Sequence, residues 1–265
     1  MSRLIFSIYE DVNDNSVTSY KKQQLFKFKD ILSNFQEIYA KKCNAEYKLV
    51  QTYSTKIFNE YDSIQFNKIK YLYEFSKDYD EVLYLDLDVL PKKDIPNIFD
   101  TYDFSKLICF FENCEKRMFD LFPNKDEKYR YINELDHMSW WIKMAAKNSM
   151  LLLEDYTLSN YIINTGVIGA NFETMKRINF TNELTNMNNL LEEAKEDNLY
   201  PPESSQFFRP NNEIYFTYLV EKKNIAHEKL DESWNYILDD IRLKDNNQAN
   251  FLHIINKDFN SYLDF

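Results

Sequence analysis

The sequence predicts an α/β protein with a central, mostly parallel sheet flanked by helices. Segments with the patterns of strands and helices alternate in the first part of the chain, and such alternation with crossover connections gives a parallel sheet. The stretch at 81–90, "EVLYLDLDVL", is almost continuously apolar, as a central strand covered on both faces requires. Hydrophobic residues form 44% of the 265 residues, which supplies a large core and argues against disorder.

Hydrophobic periodicity predicts the elements of the first half. The run "RLIFSIY" at 3–9 predicts a first strand, and apolar residues at helical spacing predict a helix within 19–42. A second strand at 46–52 and a helix at 63–77 then lead to the apolar strand at 81–90. Strands and helices therefore alternate up to this point.

The second half continues the α/β pattern. Its predicted elements are a strand at 106–112, helices within 128–155, 171–178, 181–197 and 212–223, a loop at 200–210, and strands at 225–229 and 250–255. No repeat, low-complexity linker or shift in composition divides the sequence, so we expect a single domain over 1–265.

Composition excludes several classes of protein. Three cysteines and three histidines are too few and too scattered for a disulfide framework or a zinc cluster, which favours a reducing cytoplasm. The net charge of −11 provides no general attraction to nucleic acid or anionic membrane, although it leaves room for a local basic groove. No apolar run has the length of a membrane span, and the acidic end of the first strand is unlike a signal peptide.

Two carboxylates, Asp86 and Asp88, stand near the end of the apolar strand and are followed by Pro91. Ligands of open α/β sheets bind at the carboxyl ends of strands, where paired carboxylates can hold a divalent cation. The alternative is a solvated strand end. The apolar neighbours favour the metal site, because a carboxylate buried without a cation or hydrogen bonds is costly.

Two classes of enzyme use Asp-x-Asp in this setting. In haloacid-dehalogenase-like phosphatases the first Asp is a nucleophile, which would be Asp86, and the second is an acid/base. That pattern usually lies near the N-terminus and continues with Gly or Thr, whereas Val89 follows here, and the acidic stretch at 238–245 matches the later phosphatase motif only loosely. In glycosyltransferases of the GT-A fold, the pair binds the metal ion that contacts a nucleotide-sugar diphosphate.

Both glycines of the chain, Gly166 and Gly169, lie in the stretch "NTGVIG". Average usage predicts about eighteen in a chain of this length. Glycine permits positive φ or close approach of the backbone to another group, so we expect at least one of the two to serve packing or ligand binding.

Four segments together resemble GT-A glycosyltransferases, most closely family 8 and related phage or bacterial nucleotide-sugar transferases. They are "YDEVLYLDLDVLP", "NTGVIGAN", "NNEIYFTYLVEKKNIAHEKLDESWNYI" and "FLHIINK", in the order that the family has them. The resemblance implies a GT-A, Rossmann-like domain with a nucleotide-binding half at 1–112 and a donor-sugar and acceptor half at 113–265.

The resemblance also implies a set of metal ligands and donor contacts. Asp86, Asp88 and His253 correspond to the ligands of Mn²⁺ or Mg²⁺. The residues implied to contact the nucleotide-sugar donor are Lys68, Asp86, Asp88, Asn164, Gly166 and Lys257. The segment "HIINKD" lacks the family's glycine and brings Lys257 two residues closer to the histidine.

Glu213 corresponds to the family's acidic residue that faces the reacting sugar, which makes it the candidate catalytic residue. The segment "NNE" replaces the usual Asp-Gln pair, so Asn211 and Asn212 are alternatives for this role.

The implied activity is metal-dependent transfer of a hexosyl or pentosyl group, with retention, from a UDP-sugar to an acceptor hydroxyl. The acceptor is open among glycans, lipid-linked sugars, proteins and modified nucleobases, and the net charge of −11 disfavours nucleic acid without excluding it. The alternatives are a phosphatase of the haloacid-dehalogenase type and a nucleotide-sugar-binding module without turnover.

Overall fold

A computed structural model describes residues 1–11, 20–53, 55–58, 61–62, 64–113, 140–197, 200, 202–238 and 248–262. The chain divides into two compact units. The first unit comprises Met1–Phe110, Thr165–Lys176 and Ala226–Phe265, and the second comprises Phe111–Asn164 and Arg177–Ile225. The expectation of a single domain with halves at 1–112 and 113–265 stays a prediction.

The strands, in chain order, are β1 (Arg3–Asp11), β2 (Glu46–Tyr53), β3 (Lys56–Ile57), β4 (Tyr61–Asp62), β5 (Glu81–Leu85), β6 (Val89–Pro91), β7 (Leu107–Asn113), β8 (Tyr161–Ala170), β9 (His227–Lys229), β10 (Tyr236–Leu238) and β11 (Phe251–Ile254). A central sheet has the order β2-β1-β5-β8-β7-β9, and a smaller sheet has the order β10-β11-β6. In the central sheet, β1 is parallel to both β2 and β5, β7 is parallel to β9, and β8 is antiparallel to β5. The predicted mostly parallel sheet is confirmed.

The described helices are α1 (Tyr20–Lys42), α2 (Ile64–Phe75), α3 (Ile98–Thr101), α4 (Trp140–Leu153), α5 (Phe172–Ile178), α6 (Phe180–Glu196), α7 (Pro202–Ser205) and α8 (Asn212–Lys222), with 3-10 turns at Glu232–Asn235 and Phe259–Ser261. Helix α1 packs against β1 and β2, and α2 packs against β1 and β5. Part of the predicted helix within 128–155, part of the predicted loop at 200–210 and most of the acidic stretch at 238–245 lie outside the described residues. No described helix has the length and apolarity that crossing a membrane requires.

The predicted continuous strand at 81–90 is wrong in one respect, because it divides at the acidic pair. All five residues of β5 are buried in the central sheet, whereas β6 pairs antiparallel with β11 in the smaller sheet. The Val89 amide donates to the Asp86 carbonyl at 2.9 Å, so a tight turn separates the two strands. Two polar residues separated by one apolar residue, as Asp86 and Asp88 are by Leu87, are compatible with one strand in sequence, but this turn lets the chain pass from one sheet to the other.

Gly169 allows close packing and does not serve an unusual backbone angle, since neither glycine has positive φ. A Cβ atom on Gly169 would lie 2.5 Å from Cε1 of Phe104 and 3.2 Å from Cβ of Ile108. Phe104 is itself buried, so its ring has little room to move. This contact agrees with the expectation that at least one of the two glycines serves packing or ligand binding.

We expect Gly169→Ala to lower the free energy of unfolding by about 1–3 kcal/mol, because the added methyl overpacks the core against Phe104. Chemical denaturation of the variant measures this loss. The double variant with Phe104→Leu should lose less than the sum of the two single variants, since the shorter side chain makes room for the methyl. Strict additivity would show that the contact between these residues is not the cause.

Candidate active site

The backbone around Asp86 is fixed by four hydrogen bonds. The Asp86 amide donates to the Gly166 carbonyl of β8 at 2.8 Å, and the Asp86 carbonyl accepts from the Val89 amide. The buried side chain of Gln36, on α1, donates from Nε2 to the carbonyls of Asp86 at 2.9 Å and Val89 at 2.8 Å. Helix α1 and strand β8 thus hold the turn that presents the acidic pair.

His253 reaches the acidic pair through the register of the smaller sheet. In the antiparallel pairing of β11 with β6, His253 lies opposite Val89, and the Ile254 amide donates to the Asp88 carbonyl at 3.0 Å. Nε2 of His253 lies 3.5 Å from Oδ2 of Asp88 and 3.8 Å from Oδ2 of Asp86. The predicted trio of metal-ligand residues is therefore gathered in one place in the first unit.

These three side chains form a group that could hold a metal ion. One ligand atom of each lies within 4.8 Å of the other two. The Asp88 and His253 side chains are buried, and the Asp86 side chain is 23% exposed. Two carboxylates and one imidazole are groups that bind divalent cations, and the partial exposure of Asp86 leaves an approach for further oxygen ligands.

The orientation of the His253 ring is set by Asn235, which sequence analysis does not identify as a site residue. Nδ1 of the histidine lies 2.9 Å from Oδ1 of the buried Asn235. Since an amide oxygen only accepts, Nδ1 donates to it, and Nε2 faces the two carboxylates. Hydrogen bonding of the second ring nitrogen commonly fixes a metal-binding histidine in this way.

Each carboxylate of the acidic pair also contacts its own lysine. Nζ of Lys68, on α2, donates to Oδ1 of Asp86 at 2.8 Å and lies 3.4 Å from the carbonyl and hydroxyl oxygens of Thr165. Nζ of Lys257 donates to Oδ2 of Asp88. Both lysines, which the resemblance implies as donor contacts, therefore stand beside the candidate metal ligands.

Burial and neighbouring charges shift the pKa values of Asp88 and Tyr84 in this cluster. Burial alone would raise the pKa of Asp88, but the charges and hydrogen bonds of Lys257 and His253 outweigh burial and hold that pKa well below its usual range. Burial, reinforced by the Asp86 carboxylate, raises the pKa of Tyr84 well above its usual value, so its hydroxyl stays protonated and donates to Oδ1 of Asp86. Both carboxylates are thus held as hydrogen-bond acceptors.

The second unit contains the candidate catalytic residue and the predicted sugar contact Asn164, which is buried. Glu213 lies in the first turn of α8, and the Lys143 ammonium donates to its Oε2 atom at 2.6 Å. The Asn211 side chain caps the same helix by accepting from the Glu213 amide at 2.8 Å, which gives Asn211 a structural reason to be present. Asn212 is buried beside it.

Sequence analysis therefore misses four residues that support the site residues: Gln36, Tyr84, Lys143 and Asn235. Gln36 leaves a trace in the sequence, since it is a polar residue between Leu32 and Tyr39 on the apolar face of a helix. The partners of Lys143 and Asn235 are distant in sequence, and no local pattern marks them.

Comparison with known proteins identifies the fold. No protein-family model matches the chain, and a search of curated proteins finds no match. Among solved structures, an active-site mutant of LgtC has a TM-score of 0.51 at 11% identity, with 96% of this chain and 87% of that chain covered. This likeness confirms the predicted GT-A fold.

Two further structures are similar at lower scores. The galactosyltransferase LgtC in complex with donor and acceptor sugar analogs has a TM-score of 0.47 at 10% identity, covering 96% of this chain and 87% of that one. A glycosyltransferase involved in glycosylation of the major capsid of PBCV-1 has a TM-score of 0.48 at 13% identity, with coverage of 96% and 93%.

We expect Asn235→Leu to weaken Mn²⁺ binding by about 10–100-fold, because the histidine ring loses the acceptor that orients Nε2. Titration calorimetry with Mn²⁺ measures the affinity, and electron spin echo spectroscopy detects nitrogen coupling from His253. Asn235→Asp keeps an oxygen acceptor and should retain the nitrogen coupling. Undiminished coupling in Asn235→Leu would rule out the positioning role.

Proposed function

We propose that this protein is a metal-dependent glycosyltransferase that moves a sugar from a UDP-sugar to an acceptor hydroxyl. The observation that carries the proposal is the cluster of Asp86, Asp88 and His253 at the carboxyl end of β5. Ligands of α/β folds bind at this position. LgtC, whose fold this chain shares, is a galactosyltransferase, which supports the same class of reaction.

The first unit would bind the activated end of the donor. Asp86, Asp88 and His253 would hold Mn²⁺ or Mg²⁺, which stabilises the negative charge that develops on the leaving diphosphate. Lys68 and Lys257 add two ammonium groups next to the acidic pair. Because ammonium groups bind phosphate oxygens as point charges, both lysines are suited to contact the diphosphate.

We assign donor-sugar contacts to Asn164 and Gly166. The hydrogen bond between the Asp86 amide and the Gly166 carbonyl continues the antiparallel pairing of β5 with β8, so these two residues lie opposite each other. Residues opposite each other in such a pair project on the same side of the sheet. The missing side chain of Gly166 therefore leaves space next to the Asp86 carboxylate, where a bulky sugar would sit.

Glu213 would orient and electrostatically support the donor sugar without acting as a general base. Its carboxylate is ion-paired with Lys143, and both side chains are largely buried. To take a proton from an acceptor, the carboxylate would have to give up this ion pair. The leaving diphosphate oxygen can accept the acceptor's proton instead, which corresponds to transfer with retention. The acceptor is a hydroxyl of a glycan, lipid-linked sugar, protein or modified nucleobase, and the net charge of −11 makes nucleic acid the least favoured.

A panel of activities separates the proposal from its two alternatives. A UDP-sugar transferase releases UDP in the presence of donor and Mn²⁺, whereas a phosphatase using Asp86 cleaves p-nitrophenyl phosphate through an aspartyl-phosphate. A binding module without turnover binds UDP in calorimetry but produces no UDP from any UDP-sugar. The same purified protein serves for all three measurements.

We expect Asp86→Asn and Asp88→Asn each to lower UDP release by at least about a hundredfold, since each variant removes a charged metal ligand. EDTA should abolish activity, and added Mn²⁺ should restore it. The exposed Asp94 supplies a matched control, because Asp94→Asn removes a carboxylate of the same unit away from the cluster. Full activity of either site variant, or activity that resists EDTA, would contradict the metal role.

Glu213→Gln should lower kcat by about a hundredfold and leave KM for the donor within about threefold, because the lost charge supports mainly the transition state. Rate measurements over a range of donor concentrations separate the two parameters, and the melting temperature reports on folding. NMR of the product from an α-linked donor should show an α-linkage. A β-linked product would establish inversion and make Glu213 the candidate base.

A further inference from the structure

The two lysines of the acidic pair make different contacts. We propose that Lys257 is the counter-ion of Asp88 as long as no metal ion is bound. When the metal ion binds, the Lys257 ammonium leaves Asp88 and pairs with the donor diphosphate. Metal binding and donor binding are thereby coupled through one side chain. This inference rests on the proposed function and specifies how the same site would load.

Lys257 contacts the oxygen of the Asp88 carboxylate that faces His253. Its ammonium donates to Oδ2 of Asp88, and this same oxygen lies 3.5 Å from Nε2 of His253. A divalent cation held by Asp88 and His253 would share that oxygen with the ammonium at close range. Two cations at such a distance repel strongly in a buried site, so the ammonium has to leave when the metal arrives.

Lys68 is placed to remain where it is. Its ammonium contacts Oδ1 of Asp86, whereas Oδ2 of that carboxylate faces His253 at 3.8 Å. The Lys68 ammonium also lies 3.4 Å from both the carbonyl and the hydroxyl oxygen of Thr165. Asp86 can therefore bind a metal ion through Oδ2 and keep Lys68 on Oδ1, which makes Lys257 the lysine that moves.

The position of Lys257 in the chain suits this movement. It follows β11 in a turn in which its amide donates to the Ile254 carbonyl at 3.1 Å, and its φ of 64° is in the left-handed region. A residue with a side chain adopts this region at a cost, so the geometry is maintained by its surroundings. The four-carbon stem lets the ammonium swing away from Asp88 without any change in this backbone.

Charge balance explains why metal and donor would bind together. The two carboxylates of the acidic pair are matched by the two ammonium groups that contact them. A divalent cation alone adds two positive charges to this balanced set, and the diphosphate of a nucleotide sugar supplies two negative ones. The metal ion should therefore bind weakly alone and tightly in the presence of UDP. By linkage, the metal ion should raise the affinity for UDP by the same factor.

Replacement of Lys257 by methionine tests this coupling through two affinities that change in opposite directions. We expect Lys257→Met to bind Mn²⁺ alone about tenfold more tightly than the unmodified protein, because a competing cation is gone. In saturating Mn²⁺, the same variant should bind UDP at least about tenfold more weakly, because a phosphate partner is gone. Titration calorimetry measures both affinities.

Two further variants control the experiment. Lys257→Arg keeps the positive charge and should keep the coupling between Mn²⁺ and UDP. Lys106 is paired with Asp103 on the surface of the same unit, so Lys106→Met removes an equal charge away from the cluster and should change neither affinity.

A parallel weakening of both affinities in Lys257→Met, or no change in either, would overturn the inference. If melting curves show that this variant is unfolded, Lys257→Gln gives the same comparison, since it keeps a hydrogen-bond donor for Asp88 without the charge. In the unmodified protein, independent binding of Mn²⁺ and UDP would equally overturn it. Failure of the unmodified protein to bind either ligand would instead refute the proposed function.

Discussion

The burial of the Asp88 carboxylate beside the partly buried Asp86 carboxylate at one turn is the constraint on which the rest of the first unit depends. A carboxylate taken out of water without compensation costs several kcal/mol. The structure meets this cost with groups from distant parts of the chain: Lys68 at Asp86 and Lys257 at Asp88, with His253 facing both. The turn itself is bonded by Gln36 of α1 and by β8. The contacts that stabilise this turn are therefore the same contacts that assemble the site.

The passage of the chain from the central sheet to the smaller sheet at this turn determines which residues form the site. Asp86 directly follows the carboxyl end of β5, an interior strand of the central sheet, and β6, which begins three residues later, belongs to the smaller sheet. Pairing of β6 with β11 then fixes His253 opposite Val89. A slip of one residue in that register would turn the histidine to the other face, so the sheet pairing determines the ligand set.

Sequence patterns predict the parts of this arrangement that are local. The apolar strand that carries Asp86 and Asp88 and the helical periodicity before it predict an α/β fold with a metal site, and the resemblance carried by the order of the motifs implies the GT-A fold and the third ligand, His253. The division of the strand at the turn escapes prediction, because the same residues are compatible with an unbroken strand. The contacts of Gln36 and Asn235 escape it as well, because each joins segments that only the folded sheets bring together.

Lys68 and Lys257 offset the charge of the acidic pair from within the protein itself. This differs from structural metal sites, where ligand repulsion is relieved only by the ion and metal binding supplies the free energy of folding. On the proposed function, a metal that the fold does not need for charge compensation could arrive and leave with the nucleotide in each catalytic cycle. The lysines that stabilise the resting carboxylates are also the groups best placed to bind phosphate. On the proposed function, stability of the fold and release of the product nucleotide would be linked through the same few ion pairs, and strengthening those pairs would favour the resting state over the loaded one.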